Sequence, residues 1–314
     1  MMNQNGARAK LFIMGSFVTA CTTRVARLPV AGESLAASGF RMEPGGKGFN
    51  QAVAARRLGA EVDGLFAVGD DALGALAAAA FAHADLDPAM LRRRPGATGA
   101  GVGFIAEDGE TAIAVFSGAN ASLSAQDAQD ARPAIEAAAV TLAQFEIGDA
   151  AIAEGFAIAR GADRITVLNP SPFRPVAPEI LATCSIVVAN AVETEALALA
   201  LGVEADLDAE AVAAALFALG VSALVATCGA AGAIARLSDG AILTQPAFEV
   251  EAVDTIGAGD AFAAGFATTF AETGDWPKSL RHAAACGALA VRAEGGFGAF
   301  PTRVERDALL AAVW

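Results

Sequence analysis

From residue 124 onward, the spacing of hydrophobic and polar positions switches repeatedly between two patterns. Apolar residues three or four positions apart predict helices, and the short unbroken apolar runs between them predict buried strands. We expect helices over 124–138, 149–160, 209–219, 258–272, 277–293 and 303–313, and strands over 140–145, 164–168, 185–189 and 222–227. Such alternation is typical of an α/β fold with a doubly wound, mostly parallel sheet and helices on both faces.

The first third of the chain adds an opening strand and a second, smaller unit. An unbroken apolar run at 11–14 predicts the first strand, and short alternating segments with turn residues follow at 17–43. A hairpin pattern at 98–118 has the same character. We expect these separated segments to form one small β-sheet lid. The expected α/β domain covers residues 1–16 plus 44–97 plus 118–314. The expected lid covers residues 17–43 plus 98–117.

Several polar residues stand at the ends of predicted strands. Glu146, Asn190 and Thr227 do so, and Asp254 follows an apolar run at 248–253 that predicts a further strand. In open parallel sheets, ligands bind in a crevice beyond the carboxyl ends of the strands. We therefore expect these four side chains to converge on one crevice.

A glycine turn opens the helix predicted at 258–272. Its sequence is Asp254-Thr255-Ile256-Gly257-Ala258-Gly259-Asp260. Glycines let the backbone direct its N–H groups at one point, and a helix N-terminus adds partial positive charge there, which attracts phosphate. A carboxylate beside an anion site is electrostatically unfavourable, which indicates that Asp260 takes a proton from a hydroxyl attacking phosphorus. The alternative is an ordinary turn in which the helix dipole favours an acidic residue.

Composition and charge narrow the class of protein. The 314 residues are 55% hydrophobic and 18% charged, which predicts a globular chain with a sizeable core. The net charge of −14 argues against nucleic acid or an anionic membrane as partner. The cysteines (Cys21, Cys184, Cys228 and Cys286) show no C-x-x-C spacing, which predicts reduced thiols and a cytoplasmic protein. The uncharged segment 211–235 is split by Gly220 into a helix and a strand, so we expect no membrane span.

Two local motifs carry no secure meaning by themselves. Residues 45–48 (GGKG) superficially suggest a Walker A loop, but the earlier glycine and the following Ser or Thr are missing. Residues 101–106 match G-x-G-x-x-A yet lead into a turn rather than a helix, so they do not predict a dinucleotide site. Asn190 and Glu193 stand one helical turn apart and could position a hydrated Mg²⁺, or simply begin a helix.

In combination, the motifs are far more specific. Residues 45–52 (GGKGFNQA) and 254–260 (DTIGAGD), in this order, resemble the two motifs of the ribokinase/PfkB family of sugar kinases. Shorter matches lie at 29–33, 69–71, 118–121, 168–170, 190–193 and 227–232. The resemblance implies a ribokinase-like fold with a β lid. It also implies ATP-dependent phosphorylation of a primary hydroxyl of a sugar or sugar-like substrate, with ATP and Mg²⁺ as cofactors.

The resemblance also implies roles for the matching residues. Asp260 matches the general base, and the anion hole for the transferred phosphoryl group matches Gly257, Ala258 and Gly259. The residues that match sugar contacts are Gly45, Gly46, Lys47, Asn50 and Glu146. The residues implied to border the nucleotide are Asn190, Thr227, Gly229, Gly232 and Gly259. Asn190 and Glu193 match the pair that organises Mg²⁺ indirectly. Positions that enclose a monovalent cation, with K⁺ as the candidate, match Asp254, Ile256, Ala290, Ala293 and Gly295.

The chain departs from the family pattern after its first strand. Ribokinases carry Asn and Asp there, two residues apart, to hold the sugar; this chain has Val18 and Ala20. The specific sugar is therefore open, and a nucleoside kinase is an alternative. A phosphosugar kinase would require Arg24 to face the site, and a non-catalytic ligand-binding regulator is a further alternative. In ribokinases the lids of two subunits pair, which implies a homodimer through the lid.

Overall fold

The computed structural model describes residues 8–108, 110–203 and 209–312. Parts of three predictions lie outside these ranges: residues 1–7, 204–208 and 313–314 of the expected α/β domain, Gly109 in the hairpin turn, and residue 313 of the last helix. Among the helices of the described ranges, none combines the length and apolar character that crossing a bilayer requires.

Strands and helices follow the predicted alternation closely. The strands are β1 (Lys10–Met14), β2 (Val18–Val25), β3 (Ala37–Gly45), β4 (Glu61–Gly69), β5 (Leu91–Arg94), β6 (Gly99–Ala106), β7 (Thr111–Phe116), β8 (Val140–Gln144), β9 (Ile165–Asn169), β10 (Ile186–Asn190), β11 (Ala223–Thr227), β12 (Ala233–Leu237) and β13 (Ile242–Gln245). The helices are α1 (Lys47–Arg57), α2 (Ala72–His83), α3 (Ala125–Asp130), α4 (Arg132–Ala137), α5 (Asp149–Gly161), α6 (Pro178–Thr183), α7 (Ala191–Ala200), α8 (Ala209–Ala218), α9 (Ala258–Thr273), α10 (Trp276–Ala290) and α11 (Arg303–Ala312).

The main sheet runs in the order β13-β12-β11-β10-β9-β8-β1-β4-β5, nine strands within the described residues. Pairing is parallel from β5 to β11, and β12 and β13 add an antiparallel edge beyond β11. The expectation of a mostly parallel sheet is confirmed. Strands β5, β12 and β13 were not predicted, because short edge strands of mixed polarity lack a clear periodic signal.

Alternate side chains of each strand enter two separate cores, one on either face of the sheet. Leu11 and Ile13 pack with Phe49 of α1 and Phe266 of α9. Phe12 and Met14 pack on the other face against helices α4 and α5. Burial on both faces explains why these strands are unbroken apolar runs in the sequence. It also confirms the doubly wound architecture.

The expected continuous helix over 124–138 is instead two short helices, α3 and α4, separated at Ala131. Pro133 lies in the first turn of α4 and has no N–H to donate to a preceding turn. The chain therefore restarts its helix at Arg132 rather than continuing α3.

A second sheet, which we call the small sheet, contains β3, β2, β6 and β7 in that order. It joins the two separated segments, as expected: β2 pairs antiparallel with β3 and parallel with β6. Opposed residues share a face, so Ala20, Glu43 and Gly101 lie on one face, which we call the inner face. The opposite, outer face presents exposed apolar side chains, namely Phe40, Met42, Val102 and Phe116.

The strand predicted at 248–253 is wrong. The chain leaves the sheet at Pro246, after the edge strand β13, and residues 246–254 carry no strand. An extended apolar segment becomes a strand only where a neighbouring strand offers backbone partners. Here the N–H groups of Val253 and Asp254 instead donate to the carbonyl of Val291, just beyond α10, at 2.7 and 3.1 Å.

Candidate active site

The glycine turn does form the start of α9, and its backbone remains open. Gly257 is the N-cap, with φ of 80° and ψ of −3°, a left-handed conformation that favours glycine. No side chain caps this helix start in the structure as described. The Ala258 N–H donates to the Thr255 carbonyl at 3.3 Å. The N–H groups of Gly259 and Asp260 lie in the first turn, where an α-helix offers no internal acceptor.

Asp260 lies beside these amides and is almost fully buried, with 5% of its surface exposed. Each carboxylate oxygen accepts one amide hydrogen bond: Asn50 Nδ2 donates to Oδ2 at 2.8 Å, and Gln51 Nε2 donates to Oδ1 at 3.3 Å. Burial raises the pKa of Asp260 to about 6, with the charge of Glu146 adding to the rise while Lys47 and the two amides oppose it. A carboxylate with a pKa just below neutrality is mostly ionised at pH 7 and is well matched to accept a proton.

Two further amides stand behind this carboxylate. Gln51 Nε2 also donates to Asn169 Oδ1 at 3.2 Å, and Gln144 Nε2 donates to Gln51 Oε1 at 2.6 Å. Asn169 Nδ2 donates to the Val188 carbonyl at 3.0 Å. Sequence reasoning missed all three amides as site residues. Gln51 sits in the early glycine motif and Asn169 precedes Pro170 at a strand end, which are the signals that could have identified them.

The carboxyl ends of the central strands meet here, and of the four side chains expected to converge, Asn190 and Thr227 line the cleft whereas Glu146 and Asp254 do not. Gln144 pairs with Asn169, and Asn190 pairs with Thr227, in adjacent register. These strand ends and the glycine turn enclose a cleft of about 190 Å³. It is lined by Lys47, Asn169, Ser171, Val188, Ala189, Asn190, Glu193, Thr227, Thr255, Gly257, Gly259 and Asp260.

Asn190 and Glu193 line the cleft and also cap α7. The Glu193 N–H donates to Asn190 Oδ1 at 2.8 Å, and the Asn190 N–H donates to Glu193 Oε2 at 2.9 Å. This reciprocal pair satisfies two N–H groups that the helix start leaves free. The expected helix start is therefore confirmed, and a role of the pair toward Mg²⁺ stays a prediction.

The early glycine motif is fixed against the end of β1. Gly46 has φ of 99°, and a Cβ there would lie 2.9 Å from the Ser16 carbonyl oxygen. A Cβ on Gly48 would collide with the backbone of Gly15. Glu146 accepts hydrogen bonds from the Lys47 N–H, at 2.8 Å, and from the Ser16 hydroxyl. These contacts bring Lys47 and Glu146 to the same end of the sheet as Asp260.

The inner face of the small sheet confirms the loss of polar groups noted in the sequence. Val18 and Ala20 lie beside Gly45, since a Cβ at Gly45 would be 3.7 and 3.8 Å from their side chains. Glu43 is directly opposite Ala20 on the same face. A carboxylate is therefore still present at this level of the sheet, contributed by β3 rather than β2.

Arg24 is engaged elsewhere. Its guanidinium lies 3.3 Å from Glu294, and Arg41 approaches the same carboxylate at 3.8 Å. Arg24 is not among the cleft-lining residues. By its register on β2, Arg24 lies on the same inner face as Ala20, where Glu294 pairs with its guanidinium, and a phosphosugar acceptor stays the weaker alternative.

The segments proposed for a monovalent cation do come together. Asp254 Oδ1 accepts from the Ile256 N–H at 2.9 Å, and Oδ2 accepts from the Gly295 N–H at 3.0 Å. Ala290 is buried at the end of α10, whereas Ala293 is exposed. Asp254 does not follow a strand, but it ties the glycine turn to the loop after α10.

At the end of β11, Thr227 lines the cleft. Gly229 and Gly232 are not among the cleft-lining residues. Gly232 has φ of 98°, and a Cβ there would collide with the Gln245 carbonyl oxygen. Close backbone packing accounts for this glycine. A nucleotide role for Gly229 and Gly232 stays a prediction.

Comparison with known proteins is consistent with this geometry. The chain is 32% identical to a ribokinase of Haemophilus influenzae over 300 residues, covering 95% of this chain and 97% of that protein. It is 34% identical to a ribokinase of Bacillus subtilis over 289 residues, covering 90% and 93%. A solved structure of Arabidopsis thaliana ribokinase with ribose and ATP superposes with a TM-score of 0.89 at 27% identity, covering 97% of this chain and 99% of that one.

The fold extends to relatives with other names. A nucleoside kinase of Methanocaldococcus jannaschii has a TM-score of 0.80 at 21% identity, covering 98% of this chain and all of that one (100%), which shows a shared fold. The model of the family described as pfkB family carbohydrate kinase matches residues 8–303. The resemblance carried by the two glycine motifs is thus confirmed, and the chain belongs to the pfkB family of carbohydrate kinases.

Proposed function

We propose that this carbohydrate kinase transfers the γ-phosphoryl group of ATP to a primary hydroxyl of a sugar or sugar-like molecule, with Asp260 as general base. The observation that carries the proposal is a buried carboxylate, its pKa raised to about 6, beside an uncapped helix N-terminus. A proton acceptor and an anion site then stand on either side of one reacting centre. The names of the ribokinase relatives, and the ribose and ATP held by the Arabidopsis structure, support a sugar acceptor and an ATP donor.

In the proposed reaction, the acceptor oxygen attacks the γ-phosphorus while its proton passes to Asp260. The bond from the γ-phosphorus to the bridging oxygen of ADP breaks, and ADP leaves with that electron pair. The backbone N–H groups from Gly257 to Asp260 stabilise charge on the transferred group. A positioned base of this kind contributes about 10²–10⁴-fold in rate.

ATP would lie along the cleft between Lys47, Asn190, Thr227 and the glycine turn. Mg²⁺, when bound with ATP, neutralises phosphate charge. Asn190 and Glu193 line the same cleft and would act on such an ion indirectly, through its bound waters. Mg²⁺ commonly keeps several waters and binds through substrate phosphates, so few protein ligands suffice. We further propose that K⁺ binds where Asp254 joins the loop after α10.

The acceptor would lie against Gly45, Gly46, Asn50 and Glu146, under the inner face of the small sheet. Of these, Asn50 contacts the catalytic carboxylate directly and Glu146 contacts the backbone of Lys47. Val18 and Ala20 make the β2 part of the wall above them apolar, while Glu43 of β3 keeps a carboxylate opposite Ala20. This favours an acceptor with fewer hydroxyl groups on that side than ribose. A nucleoside is the second candidate acceptor, because the apolar wall would also suit an uncharged ring.

A catalytically silent regulator fits the site less well. A binding protein has no need for an ionisable acid in a nearly dry position, where an unreactive residue would cost less free energy. The intact turn and the buried Asp260 therefore favour catalysis.

We propose a homodimer in which the small sheets of two subunits pair through their outer faces. Exposed apolar side chains on that face, such as Phe40 at 68% and Phe116 at 59%, support the assembly. A cytoplasmic location is supported by the use of ATP and by cysteines that are free in the described structure.

The test is an ADP-release assay with purified protein, Mg²⁺·ATP and a panel of pentoses, deoxypentoses, hexoses, phosphosugars and nucleosides, each with and without K⁺. ADP release that depends on an unphosphorylated sugar, with the phosphate on a primary carbon by NMR, supports the proposal. Turnover of nucleosides alone would select the second candidate. Absence of acceptor-dependent ADP release across the panel would contradict a kinase function of this site.

A further inference from the structure

The side-chain amides behind Asp260 are linked by consecutive hydrogen bonds, and one backbone carbonyl sets which atom of each amide is the donor. A peptide carbonyl can only accept, so Asn169 must turn its Nδ2 towards Val188 O, 3.0 Å away. Asn169 Oδ1 then faces Gln51 and requires a donor there, which is Gln51 Nε2 at 3.2 Å. The same Nε2 reaches Asp260 Oδ1.

Gln144 fixes the other end of the Gln51 amide. With Nε2 turned towards Asp260, Gln51 Oε1 points away from it and accepts from Gln144 Nε2 at 2.6 Å. A flipped Gln51 would place its oxygen against the oxygens of both Asp260 and Asn169. These hydrogen bonds therefore permit a single orientation of the Gln51 amide, in which its Nε2 donates to both Asn169 and Asp260.

We propose that Gln51 is a positioning residue for the phosphoryl transfer: it holds Oδ1 of Asp260 and keeps the carboxylate ionised, while Asn169 and Gln144 lock its amide. The inference rests on the proposed role of Asp260 as base. Gln51 is fully buried, so it does not touch the substrate and acts through the carboxylate. Asn50 differs from it, because Asn50 is only partly buried and lies in the loop motif matched to sugar binding.

Hydrogen bonds to the ionised form of an acid favour that form, and their removal raises its pKa. The charged groups that act on Asp260 are Lys47, from the start of α1, and Glu146, from the loop after β8. Both remain unchanged when Gln51 is replaced. A shift in the titration of the base can then be ascribed to the missing amide rather than to a changed ion pair.

The experiment compares wild-type protein with Gln51→Met, which keeps the length of the side chain and removes the amide. The kcat/KM for the acceptor is measured from pH 5 to 9. We expect the acidic limb to move to higher pH by about half a unit or more, and kcat at pH 6.5 to fall about tenfold. The KM for ATP should stay within twofold, since Gln51 is not among the residues that line the nucleotide cleft.

Two further variants separate positioning from packing. Thr269→Val is the control, because Thr269 is fully buried on α9 and its hydroxyl has no hydrogen-bond partner. Thr269→Val should leave the acidic limb of the kcat/KM profile at its wild-type pH. Gln144→Met removes only the group that orients Gln51, so it should move the limb in the same direction by less. This variant also serves if Gln51→Met fails to fold.

The outcomes distinguish this inference from the proposed function. If Gln51→Met and Gln144→Met fold and the acidic limb of their kcat/KM profile lies at the wild-type pH, the positioning role is wrong, whatever activity they lose. Asp260→Asn is assayed in parallel. If that variant keeps wild-type turnover, the role of Asp260 as base fails, and the inference fails with it. If Asp260→Asn is inactive while the amide variants titrate as wild type, the inference alone fails.

Discussion

The floor of the site and the small sheet that faces it are built by opposite means. The floor is a dry arrangement of one carboxylate and several neutral amides, in which Gln51 and Gln144 are fully buried. The small sheet meets the loop after α10 through exposed ion pairs, Arg24 and Arg41 with Glu294, whose side chains are about half exposed. Its outer face presents apolar side chains to solvent.

We infer from this difference that the floor governs the rate of phosphoryl transfer and that the small sheet governs which acceptor binds. Buried hydrogen bonds act in a low dielectric and leave their groups little freedom, which suits a base that must hold one geometry. Exposed ion pairs are worth about 0–1 kcal/mol each and are screened by salt, which suits a part that opens and closes. Changes to the floor should therefore affect kcat by large factors, and changes to the small sheet should affect acceptor KM by small ones.

The largest effect is expected at the anion site. Gly257→Ala requires a residue with a side chain to adopt φ of 80° and places its Cβ 3.0 Å from the Phe300 ring. The turn must therefore shift, and its N–H groups no longer point at the transferred phosphoryl group. We expect kcat to fall about 100-fold, the scale of losing one oxyanion donor. The measurement is steady-state kinetics with saturating ATP.

The other end of the same helix supplies the control for this variant. Gly274 has φ of 64° with open space around it, so Gly274→Ala introduces a comparable backbone strain far from the site. Its kcat should remain within about twofold of wild type. Equal losses in both variants would mean that helix strain, rather than the anion site, explains the effect.

The next effect is the pH dependence of the floor. Burial raises the pKa of Asp260 to about 6, and the base must be ionised to accept the hydroxyl proton. The value of kcat/KM should therefore fall as pH drops below about 6, approaching tenfold per pH unit, and level off above about 7. A profile that stays flat down to pH 5 would contradict a base with a raised pKa.

A smaller effect is expected on the inner face of the small sheet. Ala20→Asn restores a hydrogen-bonding group on the apolar wall, beside Gly45 and opposite Glu43. We expect KM for ribose to fall by up to about tenfold, the worth of one neutral hydrogen bond, with kcat little changed. Thr22→Asn adds the same amide on the same face of β2, two residue pairs further from Gly45, and should leave KM unchanged. An unchanged ribose KM in Ala20→Asn would mean that this wall does not contact the acceptor.

The smallest effect belongs to the ion pairs that join the small sheet to the loop after α10. Glu294→Gln removes the partner of Arg24 and Arg41 and should raise acceptor KM about twofold at low salt, with the difference lost at 0.5 M salt. Glu33→Gln breaks the exposed Arg27–Glu33 pair and is the matched control. A loss of kcat in Glu294→Gln that persists at high salt would show that this contact belongs to the floor.

The two regions also differ in how well the sequence predicts them. The glycine turn at 257–259 was predictable because a left-handed residue before a helix requires glycine locally. The amide chain was not, because Gln51, Gln144 and Asn169 come from three distant segments and their meeting depends on strand order and register. The wrong strand at 248–253 has the same origin. Its apolar pattern is local, whereas a strand needs a partner that the fold does not supply there.

The central claim is tested most directly by single-turnover phosphoryl transfer in Asp260→Asn, with ATP affinity measured on the same sample. Asn has nearly the same shape, and its single oxygen can still accept from Gln51, but its NH2 group faces Asn50 as a donor and it cannot accept the hydroxyl proton. We predict that the rate of transfer falls about 10²–10⁴-fold while the Kd for Mg²⁺·ATP stays within twofold. Transfer within tenfold of the wild-type rate would contradict the assignment of Asp260 as the base.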